Sequence, residues 1–163
     1  MKNSFFDYQE FVDYTKKLKI AEGDFQKWLK TFLLQQAQRV VANAKKRQRA
    51  VGAIDTGFMI NSWVIGKEAK VLKANSKGKY TASGVSYDSA FAKKADITDI
   101  KVVGNSLEVT IGNTAEYSSF IEFGQRSYEG KYLLTIAIST VQAAMPSRFE
   151  NEFIKFLKEK GVK

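Results

Sequence analysis

Between Asp24 and Arg49 the apolar residues Phe25, Trp28, Leu29, Phe32, Leu33, Ala37, Val40, Val41 and Ala44 recur at the i, i+3, i+4, i+7 spacing of a single helix face. No other segment constrains the fold as strongly. The pattern predicts about 24 helical residues, on the order of 36 Å at the standard rise. Asp24 is the expected N-cap, and Lys45-Lys46-Arg47-Gln48-Arg49 closes the element with cations suited to its negative end.

Around this helix the period changes twice. Upstream, Ser4 is placed to cap a first helix carrying Phe5, Tyr8, Phe11, Val12 and Thr15 on one side and fading at Lys16-Lys17-Leu18-Lys19, with Gly23 as punctuation. Downstream, Gly57 precedes the β-branched and aromatic run from Phe58 to Ile65, bounded by Gly66, which reads as a strand. Ala69 to Ala74 can form a second strand, Asn75 to Gly84 reads as a loop, and Val85 to Phe91 fits more than one state. Residues 97–103 and 107–111 flank Gly104-Asn105-Ser106 as in a tight hairpin, with Leu107, Val109 and Ile111 alternating against Glu108 and Thr110. Tyr132 to Ala144 returns to helical spacing through Leu134, Ala137, Ile138, Val141 and Met145. Pro146 is expected either to end that helix or to open the next, which carries Phe149, Phe153, Phe156 and Leu157. The expected fold is a single α+β domain spanning 1–163: N-terminal helices over 4–49, an antiparallel sheet of about four to five strands within 57–112, and C-terminal helices over 117–160.

Composition narrows the chemistry. An apolar fraction of 44% against 26% charged residues is that of a soluble globular chain. The 163 residues contain neither Cys nor His, which removes disulfides, thiol nucleophiles, Cys/His zinc sites, the Ser-His-Asp triad and any imidazole base. Lys, Tyr and carboxylate chemistry stays open, and no cofactor or metal is expected. The start, with Asp7 and Glu10 among aromatics, is unlike a secretory signal, and no apolar run approaches the ~18 residues of a membrane span. A soluble protein made in a cytoplasm is the expectation. The net charge of +9 favours polyanions and lies mostly in the first two thirds, since residues 105–163 balance seven bases with seven acids.

Candidate sites follow from these remnants. Gly78-Lys79-Tyr80-Thr81 lacks the strand–glycine-rich-turn–helix frame of a phosphate loop. Asp96 with Asp99, or Glu150 with Glu152, would need a cleft that separates their pKa values to work as acid and base, and their surroundings read as solvated. Asp55-Thr56-Gly57 has the letters of an aspartic protease triplet without the second copy. The candidate DNA-facing cations are Lys45, Lys46, Arg47 and Arg49 at the helix end, which also serve to complement the helix dipole, and Lys73, Lys77 and Lys79 in the predicted loop.

Two stretches are more telling: Asp55-Thr56-Gly57-Phe58-Met59-Ile60-Asn61-Ser62-Trp63 after the long helix, and Ile111-Gly112-Asn113-Thr114-Ala115-Glu116-Tyr117-Ser118-Ser119-Phe120-Ile121-Glu122-Phe123-Gly124 after the hairpin. In that order they resemble the tail-completion or head-tail joining family of tailed bacteriophages and prophages, also called minor capsid or neck proteins. The resemblance spans roughly residues 20 to 145. Matching positions are Asp55, Thr56, Gly57 and Ser62, with Trp63 beside them, then Gly112, Asn113, Tyr117, Glu122 and Gly124. The chain departs from the family pattern after Gly124, where Gln125-Arg126-Ser127-Tyr128-Glu129-Gly130-Lys131-Tyr132 replaces a Thr-Arg turn and an aromatic-proline helix entry.

The resemblance implies a non-catalytic structural protein of the virion neck, joining tail to head as part of a ring around the DNA channel. The implied partners are connector, tail-tube and terminator proteins, further copies of itself and nonspecifically passing duplex DNA, with no membrane. Independently of that, Gly57 and Gly124 read as sharp bends and Asp55 and Thr56 as turn-fixing residues, mostly scaffold rather than contact. The competing reading is a small basic nucleic-acid-binding protein without sequence preference. It predicts salt-sensitive duplex binding by the free subunit, whereas joining predicts little. A carboxylate- or lysine-based enzyme is a third reading, tested by turnover that disappears on substituting Asp55, Asp96 or Asp99.

Overall fold

The computed structural model describes residues 8–18, 20–54, 57–66, 79–81, 84–86, 95–104 and 106–162. Within them the chain is α+β, with long helices near both ends and short antiparallel strands between. Ser4, Phe5, the 69–74 strand, Asp55, Thr56, Lys73 and Lys77 lie outside the described residues.

Helix α1 runs Tyr8–Lys17 and buries Val12 and Thr15, whose hydroxyl donates to Val12 O. Helix α2, Glu22–Ala50, is 29 residues long and one turn further forward than the periodicity predicts. Ala21, not Asp24, occupies the N-cap and supplies no side-chain cap. Glu22 and Asp24 instead lie in the first turn, where carboxylates favour the positive helix end. Asp24 is held there by an ion pair with Lys160.

The run beginning at Phe58 is not one strand. Phe58–Asn61 forms a single helical turn, α3, and only Trp63–Ile65 extends, as β1. Side chains decide this. Asn61 Nδ2 donates to Gly57 O and Ser62 Oγ to Phe58 O, so local bonds complete the turn while Met59 and Ile60 are buried. A short apolar run looks the same in either state. Lys79–Thr81 (β2) lies within the expected loop and pairs as a ribbon with Gly84–Ser86 (β3), which runs from the end of that loop into the stretch that fitted more than one state.

The hairpin is present but shorter, with β4 (Lys101–Val103) against β5 (Ser106–Glu108). Residues 97–99 turn as a 3₁₀ helix because Asp96 accepts from Thr98 N and Asp99 returns the bond from Asp96 N, a reciprocal cap. Strand β6, Ile111–Asn113, leaves the hairpin and pairs antiparallel with β1. The alternation survives: Leu107, Val109 and Ile111 are half-buried while Glu108 and Thr110 are exposed. Among the described residues the strands make four two-stranded ladders in place of one sheet of four to five, the last being β7 (Gly124–Gln125) with β8 (Tyr128–Glu129) after the short helix α4 (Ser118–Phe123).

Helix α5, Leu133–Glu159, runs unbroken through Pro146. An interior proline forfeits the bond to the carbonyl four residues back and costs about 3 kcal/mol or more. Here the apolar stripe continues on both sides of it: Val141 before and Phe149 after are buried, and Pro146 itself is exposed. Burial along the whole helix outweighs the local loss.

Helices α2 and α5 pack antiparallel, and the core lies between them. Toward α2's start, Phe25, Trp28 and Phe32 interleave with Phe149, Phe153 and Phe156; the Trp28 ring centroid is 5.1 Å from Phe156 and 5.4 Å from Phe149. Toward its end, Val40 and Ala44 meet Leu133, Ala137 and Val141, joined by Met59, Trp63 and Ala115 from the sheet region. Met145 packs against both groups and links them. The pairing carries the N-terminus of α5 to the C-terminus of α2, and there the motif residues gather.

Candidate functional site

At this end of the molecule α3, β1, β6, α4 and the β7–β8 hairpin converge on the helix pair. Gly57 stands at the N-cap of α3 with φ 78°, in the left-handed region. Trp63, on β1, is buried and its indole N–H donates to Gln48 Oε1 at 3.2 Å. Gln48 is itself buried, and its amide group donates to Ala53 O, holding the chain as it leaves α2. The β6 end is fixed as closely. Asn113 Nδ2 donates to Met59 O at 2.7 Å, its Oδ1 accepts from Ala115 N, and Thr114 donates to Ser62 O through both its N–H and its hydroxyl. Gly112 sits opposite Val64 in the ladder, and Tyr117 packs its ring near Phe58, centroids 6.2 Å apart.

Glu122 carries the next connection. It belongs to α4, is 7% exposed, and accepts at 2.9 Å from both Leu134 N and Thr135 N and at 2.7 Å from the Thr135 hydroxyl. These are donors of the first turn of α5 that no intrahelical carbonyl can reach. Tyr132, at the N-cap with φ 48°, supplies no cap of its own, so the cap arrives from a different helix. A carboxylate there also meets the positive end of the helix dipole.

Gly124 ends α4 at φ 82°, and a Cβ on it would stand 2.5 Å from Tyr128 O and 2.7 Å from Gly130 N. The segment that departs from the family pattern is this crossing: a tight hairpin with Arg126 at φ 51°, lying against the end of α4. Lys131 N and Tyr132 N then bond Ile121 O and Glu122 O, and Arg47 Nε donates to Lys131 O across to α2.

The expected motif residues Gly57, Ser62, Trp63, Gly112, Asn113, Tyr117, Glu122 and Gly124 are therefore brought together, and all of them are buried or half-buried. What they hold outward is apolar: Phe120 and Phe123 on α4, Tyr128 on β8, and Tyr132 and Ile136 at the start of α5 are exposed, Phe123 at 68%. Lys131 Nζ lies over the Tyr128 ring at 5.4 Å. Of the cations, Lys46 and Arg49 are exposed on the last turns of α2, Lys45 is half-buried, and Arg47 is bound to the α5 entry; Lys79 lies on β2. Asp96 and Asp99 serve the 3₁₀ cap. Among the described residues no group of acidic side chains is arranged to hold a metal ion, and no helix is long and apolar enough to cross a membrane.

Gln48 and Thr114 escaped the reading of the sequence. Gln48 sits inside a run of cations, yet it falls four residues after Ala44 on the inward stripe, and that spacing was the available signal.

Residues 10–124 match the family model described as bacteriophage HK97-gp10, a provisionally assigned tail component. The chain belongs to the HK97-gp10-like family. The match ends at Gly124, the bend that closes α4, and covers both motif stretches. No curated protein and no solved structure matches the chain. Family membership supports a structural part of a phage particle and makes catalysis the less favoured reading.

Proposed function

We propose that this protein joins tail to head in a phage or prophage particle: a non-catalytic subunit of a ring around the DNA channel at the virion neck, docking between connector and tail-tube or terminator proteins. The observation that carries the reading is the family match over residues 10–124. The build of the motif region supports it. Its described polar side chains Glu122 and Asn113 are turned inward onto backbone partners, while aromatic side chains on α4, β8 and α5 face outward, as a protein-docking surface requires.

The test is deletion and add-back. Phage lacking the gene should accumulate DNA-filled heads and finished tails that remain separate, and purified protein added to the lysate should restore infectious particles. Infectious progeny from the deletion, or intact particles without this polypeptide at the neck by labelled electron microscopy, would refute the proposal.

A further inference from the structure

The thirty residues between Asp24 and Asp55 contain no carboxylate and seven cations, while the other 133 residues hold 19 basic and 17 acidic side chains. Seven of the nine units of net charge thus arise in this stretch, which is mostly helix α2 beyond its acidic first turn. Its exposed residues from Gln35 onward are Gln35, Gln38, Arg39, Ala42, Lys46, Arg49 and Ala50. At 100° per residue these occupy one side of α2, opposite the buried stripe of Ala37, Val40, Ala44 and Gln48. Lys45 falls at the edge of the same side, and Arg47 does not, being bonded to Lys131 O. The ion pairs formed among the described residues are Asp13–Lys16, Glu152–Lys155 and Asp24–Lys160, so none neutralises Arg39, Lys45, Lys46 or Arg49. The 97–99 turn also packs on α2, and Asp96 and Asp99 are engaged in its cap.

We propose that this outward face of α2, from Gln35 to Arg49, is a binding surface for the sugar-phosphate backbone of duplex DNA. It spans about 21 Å, the length of about six base pairs. Arg39 and Lys46 stand seven residues apart, about 10 Å along the axis, with the exposed amides of Gln35 and Gln38 just before Arg39 as neutral donors to phosphate oxygens. The cations are on a rigid helix braced along its other side by α5, so little ordering is needed on contact. Nothing on the face presents a pattern for reading base edges, which makes the contact sequence-independent. The inference goes beyond joining, which requires docking between proteins alone, and it assigns the face turned to the DNA if the ring reading holds. One subunit with four phosphate contacts binds weakly at physiological salt, with Kd of about 10⁻⁴ M; several subunits around one duplex add their contacts.

The experiment uses the full chain and a fluorescein-labelled duplex of random sequence, read by anisotropy between 50 and 200 mM NaCl. Four released counterions give a fall of about 150-fold in affinity over that range. The triple variant R39Q/K46Q/R49Q should bind far more weakly at 50 mM and lose only about 3.5-fold on going to 200 mM, the dependence of one remaining contact. A control with the same charge, K17Q/K101Q/K158Q, should behave as the wild type, and circular dichroism should show all three proteins equally folded. Absence of wild-type binding at 50 mM, or equal loss in the two variants, would overturn the inference. Either result leaves the deletion and add-back test of joining unaffected.

Discussion

Replacing Glu122 probes the claim that the motif residues are architecture. Its carboxylate accepts three bonds from the first turn of α5 and is nearly inaccessible to water. Loss of an ordinary N-cap costs about 1 kcal/mol, while hydrogen bonds to a charged acceptor contribute about 1.5–3 kcal/mol each. Thr135 is exposed, so water can partly replace the acceptor on that side after truncation. A net loss of about 3 kcal/mol for Glu122→Ala is the resulting expectation, a fall in melting temperature of about 9 °C at the entropy typical of a chain this size. Glu122→Gln should cost nearly as much, because one amide oxygen replaces two acceptors and the NH₂ group then opposes a backbone N–H. Urea unfolding followed by circular dichroism, with Thr135→Val and the double variant completing a cycle, should give a coupling of about 1 kcal/mol. Melting of both Glu122 variants within 2 °C of wild type, roughly the error of the ~1 kcal/mol scale involved, would show that α5 does not depend on this cap.

Other outcomes follow from the same geometry. Gly124→Ala combines a left-handed φ with a Cβ 2.5 Å from Tyr128 O, so the chain should fail to accumulate as soluble folded protein, whereas Gly104→Ala, at φ 58° with nothing within 4 Å, should cost only about 1 kcal/mol; soluble yield and thermal melts compare them. The Lys160 ammonium, by hydrogen bond first and charge second, holds the Asp24 carboxyl below its ordinary value of 3.8. A carboxylate lowered in the folded state adds stability above its unfolded pKa and loses it as pH falls through the folded one. Lys160→Met should therefore lower stability by a small, constant amount across pH 6–8, and the variant and wild type should converge as pH falls below about 4, read by urea titrations.

The departures from the sequence expectations share one form. The stripe from Phe25 to Ala44 and the alternation from Leu107 to Ile111 are period signals, and they hold because each side chain's neighbours along its own element determine which face it occupies. The start of α2 lies three residues before the position predicted, and Asp24, which reads as a cap, sits in the first turn and pairs with Lys160 at the far end of the chain. Pro146 failed to break α5 because the burial of Val141 and Phe149 against α2 exceeds a local penalty that sequence alone shows in isolation. The Phe58 run became helix and strand together because local bonds from Asn61 and Ser62 close the turn, while Asn113 and Thr114, more than fifty residues away, bond Met59 O and Ser62 O.

The motif residues were legible as bends and polar marks, but not what they bond. Gln48 lies in a run of cations and Glu122 is a charge between Ile121 and Phe123, and both end up buried because each has a partner on another element. By itself the sequence determined the two amphipathic helices, the hairpin turn, the lack of imidazole and thiol chemistry and the excess of positive charge, all properties of residue type and local period. Only the tertiary structure decided how α2 and α5 face each other, which carboxylate caps which helix, and that Arg39, Lys46 and Arg49 share the outward side of α2 with no ion-paired acid among the described residues. Those follow from burial and from bonds between distant residues, energies that no local window contains.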